Sequence, residues 1–218
     1  LQEAAKWYDE TLADSKVTYF VKDEDEINSI EITFEKKQFM HLTGIYLVKQ
    51  GITSSIALDN IIQGQGHYDN IYLANRNAAF SKLQIMPELK AIADSSSFYF
   101  NDVSDIKKFQ RLDASKAIRT KGNELVLALR TDDGKTFPAS LMKPGKTLNL
   151  QMDEIAEEKA ILGVYRKKGE QIDTLSINKH YVKDGGKEML DIMNNNDFSP
   201  IQSESQDIKR KQSLATLD

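Results

Sequence analysis

Residues 125–143, LVLALRTDDGKTFPASLMK, contain the clearest structural pattern in the chain. Side chains from Leu125 to Arg130 alternate between leucine and other residues, a period of two that is typical of a β-strand. Asp133 and Gly134 then provide the pair that a type I′ turn favours, because both residue types tolerate a positive φ. Residues 137–143 follow as the return strand. This stretch therefore predicts a β-hairpin in the C-terminal half of the chain.

A second hairpin is predicted downstream, from strands over 160–166 and 171–177 joined by the turn 167–170. The N-terminal half has a different character. A helix over 1–13 precedes a hairpin of two strands, over 17–21 and 29–35, with an acidic turn between them. Helical patterns then recur over 36–48, 54–62, 68–80 and 81–93. The order predicts an α+β fold, with N-terminal helices and a hairpin followed by a C-terminal antiparallel sheet of about four strands.

The domain organisation follows from length and composition. The 218 residues are 40% hydrophobic, which excludes a wholly disordered chain and predicts one α+β domain over residues 1–193. Residues 194–218 are polar and are expected to form a poorly ordered tail. The first residue is Leu1 and not methionine, so we expect a fragment or a processed product. The cytoplasm is the default compartment, and an N-terminal leader that has been lost stays open.

Several classes of function are excluded by residue counts. The chain has no cysteine, which excludes disulfide scaffolds, thiolate metal sites and cysteine nucleophiles. The three histidines are too scattered in sequence for a convincing zinc site, so we expect no metal and no other cofactor. No run approaches the roughly 18 apolar residues that a membrane span needs, so no membrane partner is expected.

The net charge of −4 conceals an uneven distribution. Residues 9–35 contain nine acidic residues and two lysines, whereas residues 107–146 contain ten basic residues and four acidic ones. A local basic patch is what a phosphate backbone responds to, even when the total charge is negative. The basic stretch is therefore either a nucleic-acid contact or a solvated surface, and the sequence leaves both readings open.

His41 is the first candidate for a chemical role, because imidazole titrates near neutral pH and suits general acid or base catalysis. It lies in the segment FMHLTGI, residues 39–45. On a continuous helix His41 and Thr43 would not face each other, so they would cooperate only if the helix ends near Gly44. The alternative is a buried structural histidine that is bonded to a backbone carbonyl.

The return strand of the first hairpin holds a second pair of candidates, Ser140 and Lys143. Pro138 predicts that this strand lies at an edge or begins at that residue, which would leave both side chains accessible. They would share a site only if the strand bends near Pro144. A charged sheet edge without function is the other interpretation.

A third group of candidates lies where the second hairpin turns. The strand runs into its turn at Tyr165, Arg166, Lys167 and Lys168. Together with Arg130 and Lys143 on neighbouring strands, these residues would form a rim that binds phosphate groups. Arginine suits this role because its planar guanidinium donates two parallel hydrogen bonds. A solvated basic turn is the alternative.

Two of these segments resemble a known family. Residues 39–45 resemble the Phe-x-His-Leu-x-Gly-Ile/Leu signature of the phage and mobile-element branch of the barnase–EndoU–colicin–RelE-like nuclease superfamily. Residues 137–141 resemble the later Pro-x-Ser-Leu strand of the same branch. The resemblance spans about 17–177, which would be the nuclease-like core.

The resemblance implies a metal-independent ribonuclease in which the RNA 2′-hydroxyl attacks the adjacent phosphorus. His41 would be the base or acid, and Thr43 and Ser140 would hydrogen-bond a phosphate oxygen. The cations are inferred from strand geometry and not from the resemblance: Lys143, with Arg130 or Arg166, would neutralise the developing charge. The implied partners are RNA and a host protein or cognate inhibitor. The alternative is a non-catalytic phage or mobile-element protein that binds a host protein or nucleic acid. The nuclease hypothesis requires His41, Ser140 and the cations to converge in one cleft.

Overall fold

The structure is a computed structural model that describes residues 1–47, 51–65, 71–73, 75–198 and 201–202. Its strands are β1 (Ser15–Asp23), β2 (Glu26–Phe34), β3 (Tyr46–Leu47), β4 (Ile71–Tyr72), β5 (Phe98–Phe100), β6 (Lys116–Arg119), β7 (Val126–Asp132), β8 (Lys135–Met142), β9 (Glu158–Lys168), β10 (Gln171–Ile177) and β11 (Ile201–Gln202). Its helices are α1 (Gln2–Thr11), α2 (Gln38–Thr43), α3 (Ser54–Ile62), α4 (Arg76–Ile85), α5 (Lys107–Gln110), α6 (Lys146–Ile155), α7 (Lys187–Asn195) and a 3-10 helix (Met86–Ala93).

Seven strands close into a barrel, in the order β1, β2, β8, β7, β6, β5, β9 and back to β1. Strand β10 pairs with β9 outside the ring, and β11 pairs with β2. Neighbouring strands of the ring are antiparallel, except that β2 and β8 are parallel and meet at the pair Ile32–Thr136. Strands β3 and β4 form a separate two-stranded sheet.

This architecture shows that the predicted arrangement, with N-terminal helices and a hairpin followed by a separate four-stranded antiparallel sheet, is wrong. The N-terminal hairpin is inserted between β8 and β9, and the short strands β5 and β6 complete the ring. Residues 17–21 explain the insertion, because they are all buried and β1 therefore packs on both faces. Both hairpins of the C-terminal half form as predicted.

The barrel interior and several helices share one core. Every strand of the ring contributes a buried apolar side chain to it, and so do α1, α2, α3 and the 3-10 helix. Tyr8 of α1 contacts the rings of Phe34 at the end of β2 and Phe39 at the start of α2, with centroid distances of 6.3 and 5.2 Å. The Tyr8 hydroxyl also donates a hydrogen bond to the carbonyl of Glu35, at 2.8 Å. These contacts fix the direction in which the chain leaves β2 and enters α2.

Two smaller apolar clusters cover the outside of the ring. One lies between β5–β8 and the helices α5 and α6, and the other lies between β9 and α7. Among the described helices, none is both long and apolar enough to cross a membrane. The polar tail predicted over 194–218 lies largely outside the described residues.

The seam between β1 and β9 closes the barrel and is held at both ends. At one end the carboxylate of Asp23 pairs with the ammonium of Lys159, whose side chain is 7% exposed. At the other end Arg166 donates hydrogen bonds to the carbonyls of Glu10 and Thr11, at 2.7 and 3.2 Å, and pairs with Asp173 across the β9–β10 hairpin. The first and ninth strands are thereby locked in register.

The pH dependence of stability tests the Asp23–Lys159 contact. The hydrogen bond from Lys159 holds the pKa of Asp23 below its usual range, so the pair stabilises the fold above the ordinary carboxyl pKa and loses that contribution as the pH falls. Unfolding in urea should therefore show a steeper loss of stability between about pH 5 and pH 2 in the wild type than in Lys159→Met. Lys16→Met, which breaks the exposed Lys16–Glu31 pair, should keep the wild-type slope. Equal slopes for the wild type and Lys159→Met would contradict this role of the pair.

Candidate active site

Helix α2 presents one histidine on an otherwise buried segment. Phe39, Met40, Leu42 and Ile45 of the 39–45 segment are buried in the main core, whereas the side chain of His41 is exposed. The apolar residues of the segment thus anchor α2 against the barrel. The alternative of a buried histidine bonded to a backbone carbonyl is wrong about burial, although the ring does bond a backbone carbonyl.

Gly44 ends α2 and allows another helix to pack beside it. Its φ is +73°, and its N–H donates a hydrogen bond to the carbonyl of His41 at 3.1 Å. A Cβ at this position would lie 3.3 Å from Cδ of Lys82 and 3.4 Å from Cα of Ala79. Glycine therefore suits this position for two reasons, the left-handed backbone conformation and the small space that α4 leaves for a Cβ.

The imidazole of His41 binds a carbonyl at an irregularity in β8. The register of β7 and β8 shifts at this point, so that Ala128 faces Ser140 and Leu129 faces Pro138. Ala139 is the extra residue of the resulting bulge, and its carbonyl oxygen lies 2.9 Å from Nε2 of His41. Bulges often occur beside functional sites, because they redirect the chain locally.

The same contact determines which nitrogen of His41 is free to act as a base. A carbonyl oxygen can only accept, so Nε2 carries the proton and Nδ1 of the neutral ring has an unshared electron pair. The hydroxyl of Tyr46 lies 3.4 Å from Nδ1 and donates toward it. Nδ1 is therefore the nitrogen of His41 that can take a proton from a substrate.

Lys82 of α4 brings a cation to the same place. Its Nζ donates a hydrogen bond to the backbone carbonyl of His41 at 3.4 Å. Burial, with a smaller contribution from the charge of Lys108, lowers the pKa of Lys82. A partly desolvated ammonium interacts more strongly with a nearby anion and also gives up its proton more readily than an exposed lysine does.

A cleft of about 110 Å³ opens beside His41. Its wall combines apolar side chains with polar groups, among them the hydroxyl groups of Thr53 and Ser54 at the start of α3. The cleft is smaller than the pockets that enclose whole ligands, so it can hold only part of a ligand next to His41. The residues that line it are Met40, His41, Ile45, Tyr46, Leu47, Ile52, Thr53, Ser54 and Ala57.

Two of the predicted catalytic hydroxyl groups are buried away from solvent. Thr43 Oγ1 donates to the carbonyl of Met40 at 2.7 Å and accepts from the N–H of Ile45 at 3.1 Å, so it stabilises the end of α2. Ser140 is 7% exposed, and its cross-strand partner Ala128 belongs to the cluster under α5 and α6. Ser140 is thus next to Ala139 in sequence, but its side chain shares the outer face with Ala128.

The predicted cations of the first hairpin lie on β7 and directly after β8, the strand that His41 contacts. The guanidinium of Arg130 stacks on the ring of its cross-strand partner Phe137, at 4.8 Å from the centroid. Its Nε is buried and has no hydrogen-bond partner within the described residues. Lys143 is exposed and follows the last residue of β8. Both stay candidates for binding phosphate.

The three predicted binding residues of the second hairpin belong to the β1–β9 seam. Tyr165 is buried, and its hydroxyl donates to the carbonyl of Gly186 at 2.8 Å. Burial and the charge of Asp184 raise its pKa to about 12. Arg166 holds the end of α1, as described above, and Lys167 lines a different cleft with Lys16. The structure does not bring this group together with His41.

Two residues of the site were missed by sequence reasoning, Tyr46 and Lys82. Tyr46 directly follows the 39–45 segment. The predicted continuous helix over 36–48 placed it on a helix, whereas α2 ends at Thr43 and Tyr46 lies on β3. Lys82 has no local signal, because it reaches His41 only through the packing of α4 on Gly44. Of the described residues, no three histidine, aspartate or glutamate side chains lie close enough together to bind a metal ion. His67 lies outside the described residues.

The comparison with protein families agrees with the resemblance of residues 39–45. A family model described as PBECR4, phage-Barnase-EndoU-ColicinE5/D-RelE like nuclease4, matches residues 1–183. The chain belongs to this family. The resemblance to the superfamily is thereby confirmed, and so is its phage-type nuclease character at the level of the family. The PBECR4 match includes the whole barrel, with His41, Tyr46 and Lys82. Neither the curated proteins nor the solved structures include a match to this chain.

Replacing Gly44 should separate the two reasons for a glycine at the end of α2. Gly44→Ala should lower the free energy of unfolding by more than Gly134→Ala does, as measured in urea. Both residues have nearly the same φ, +73° and +74°, but a Cβ at Gly134 meets nothing within 4 Å. The positive φ alone costs about 1 kcal/mol, and the contact with α4 adds to it. Equal losses for the two variants would show that the approach of α4 is not tight.

Replacing Tyr165 tests its assignment to the seam. Tyr165→Phe keeps the buried ring and removes the hydrogen bond to Gly186, so unfolding should become easier by about 1 kcal/mol. RNA affinity, measured by fluorescence anisotropy, should equal that of the wild type. If Tyr165→Phe had the stability of the wild type but bound RNA more weakly, Tyr165 would belong to the RNA-binding site and not to the seam.

Proposed function

We propose that this protein is a metal-independent nuclease that cleaves RNA at a site centred on His41. The observation that carries the proposal is the imidazole itself, which is exposed on a buried segment and held by the Ala139 carbonyl, so that Nδ1 is an acceptor that faces the Tyr46 hydroxyl at 3.4 Å and that a substrate hydroxyl can reach by displacing it. Membership in a phage-type nuclease family supports the reaction class.

The reaction uses the 2′-hydroxyl of the substrate as nucleophile. Nδ1 of His41 takes the proton of the 2′-hydroxyl, and the 2′-oxygen forms a bond to the adjacent phosphorus as the bond from phosphorus to the 5′-oxygen breaks. The departing 5′-oxygen takes a proton from a donor in the site. The products are a 2′,3′-cyclic phosphate and a 5′-hydroxyl group. General acid–base catalysis of this kind contributes roughly 10²- to 10⁴-fold to a rate.

Cations of the site would stabilise the charge that develops on the phosphate. The ammonium of Lys82 is the nearest described cation, because it already binds the backbone of His41. Its lowered pKa also suits it to protonate the departing 5′-oxygen. Arg130 and Lys143 are further candidates for the phosphate oxygens, since they lie along the hairpin that His41 contacts.

A second function is favoured by two observations. The hydroxyl groups of Thr43 and Ser140 are buried, so Ser140 does not share the cleft of His41 as the nuclease hypothesis requires, and the net charge of −4 suits an RNA-cleaving enzyme poorly. A non-catalytic phage or mobile-element protein that binds a host protein or nucleic acid would need neither hydroxyl. In the nuclease, by contrast, the protein partner would be a cognate inhibitor that covers His41.

Cleavage of RNA by purified variants tests the nuclease. In the presence of EDTA the wild type should cut single-stranded RNA, and His41→Ala should lower the rate at least about 100-fold because the proton acceptor is lost. Tyr46→Phe should cause a smaller loss, because the ring stays and only the hydroxyl beside Nδ1 is removed. An RNA with a 2′-deoxy nucleotide at the cleavage site should stay intact.

His180→Ala is the matched control, because His180 is also exposed but makes an edge-to-face contact with Tyr181, whose ring lies near Lys22 of β1. This variant should cleave at the wild-type rate. Equal activity of His41→Ala and the wild type would remove His41 from the mechanism. The absence of cleavage by folded wild-type protein on both structured and unstructured RNA would favour the non-catalytic function.

A further inference from the structure

An exposed aromatic pair lies beside the candidate site, on the small sheet outside the barrel. Tyr46 of β3 and Tyr72 of β4 are directly opposite each other, and antiparallel partners present their side chains on the same face of a sheet. Tyr46 is 40% exposed and Tyr72 is 56% exposed. Ile71, the neighbour of Tyr72, is 38% exposed. Neither tyrosine ring belongs to the core of the barrel, so packing in the core does not explain why these positions are aromatic.

The two tyrosines differ in their relation to His41. Tyr46 contacts Nδ1 through its hydroxyl and forms part of the cleft wall. The side chain of Tyr72 makes no hydrogen bond to another described residue and is 56% exposed, so its ring is available for contact. Clustered exposed aromatic groups commonly mark an interaction surface.

The charge around this surface is positive on the side of α4. Lys82 lies against His41, and the charge of Lys108 reaches Lys82. At the start of the same helix, the guanidinium of Arg76 lies over the ring of Phe80, at 5.6 Å from the centroid. Aromatic rings beside cations fit a polyanion that carries flat apolar groups.

We propose that Tyr72 and Tyr46 form a stacking platform for the unpaired bases of single-stranded RNA, with the cleft next to His41 holding the edge of one base. This inference rests on the proposed function, because it assigns a substrate form to the same site. Every base has an aromatic face, so such a platform tolerates sequence variation. In a duplex the base faces are covered by their neighbours, and the deep major groove of RNA admits no side chain. The platform therefore selects single strands and loops over helical RNA.

Binding to RNA that cannot be cleaved tests the platform apart from catalysis. A fluorescein-labelled single strand with 2′-O-methyl groups throughout is titrated with each variant, and its anisotropy gives the Kd. Tyr72→Ala should bind this strand about 5- to 150-fold more weakly than the wild type, the range expected for the loss of one stacked base. Tyr72→Phe should bind like the wild type, because the ring is kept. For a fully paired RNA of the same length, Tyr72→Ala and Tyr72→Phe should have the same Kd as each other.

Tyr181→Ala is the control for the loss of an exposed tyrosine, since Tyr181 is 46% exposed and packs against His180. It should keep wild-type affinity, and thermal unfolding should show that all variants are folded. Wild-type affinity in Tyr72→Ala, or a preference of the wild type for paired RNA, would overturn the platform. If the wild type shows no RNA affinity but captures a protein through Tyr72, the surface is a protein interface and the inference fails.

The two proposals can fail separately. Loss of single-strand binding in Tyr72→Ala together with no cleavage by the wild type would support the platform and reject the nuclease. If His41→Ala abolished cleavage while Tyr72→Ala bound the single strand with wild-type affinity, the nuclease would be supported and the platform rejected.

Discussion

The pairing of β1 with β9 is the interaction on which the rest of the structure depends. It closes the ring of seven strands and makes both strands of the N-terminal hairpin part of the barrel. Once the hairpin is in the ring, β2 lies beside β8 and meets it at Ile32–Thr136. Between β2 and α2 the chain turns at Glu35, whose carbonyl accepts a hydrogen bond from Tyr8. This turn places α2 so that His41 contacts the carbonyl of Ala139 at the bulge. The site exists because the barrel is closed in this register.

The segment 39–45 combines two tasks in few residues. Its apolar members bury the helix, Thr43 and Gly44 end it, and His41 is left exposed at the surface. The site is completed from distant parts of the chain: Lys82 from α4, Ala139 from β8 and the hydroxyl of Tyr46 from β3. The chemistry therefore depends on tertiary packing, although the residue that carries it belongs to a short local motif.

Local features of the fold could be predicted from the sequence, and long-range features could not. Asp133-Gly134 and the alternation after Leu125 identified the β7–β8 hairpin, since turn type and period are local properties. The closure of the ring depends on pairs such as Lys16–Lys167, which are far apart in the chain. In the site, His41 was identified from its motif. Ser140 was placed with it because both occur in family segments, but strand alternation turns its side chain to the face of Ala128.

A disulfide across the seam tests the closure of the barrel most directly. The chain has no cysteine, so the double variant Lys16→Cys/Lys167→Cys contains one pair of thiols, at positions whose Cα atoms are partners in the β1–β9 ladder. Antiparallel partners are about 4.5–5.5 Å apart, within the range of a disulfide. Mild oxidation of the monomer should form the bond rapidly, whereas Lys16→Cys/Lys121→Cys, whose second cysteine follows β6, should stay reduced. Failure of the first pair to form the bond, or equal rates for both pairs, would contradict the closed barrel and the position of His41 that follows from it.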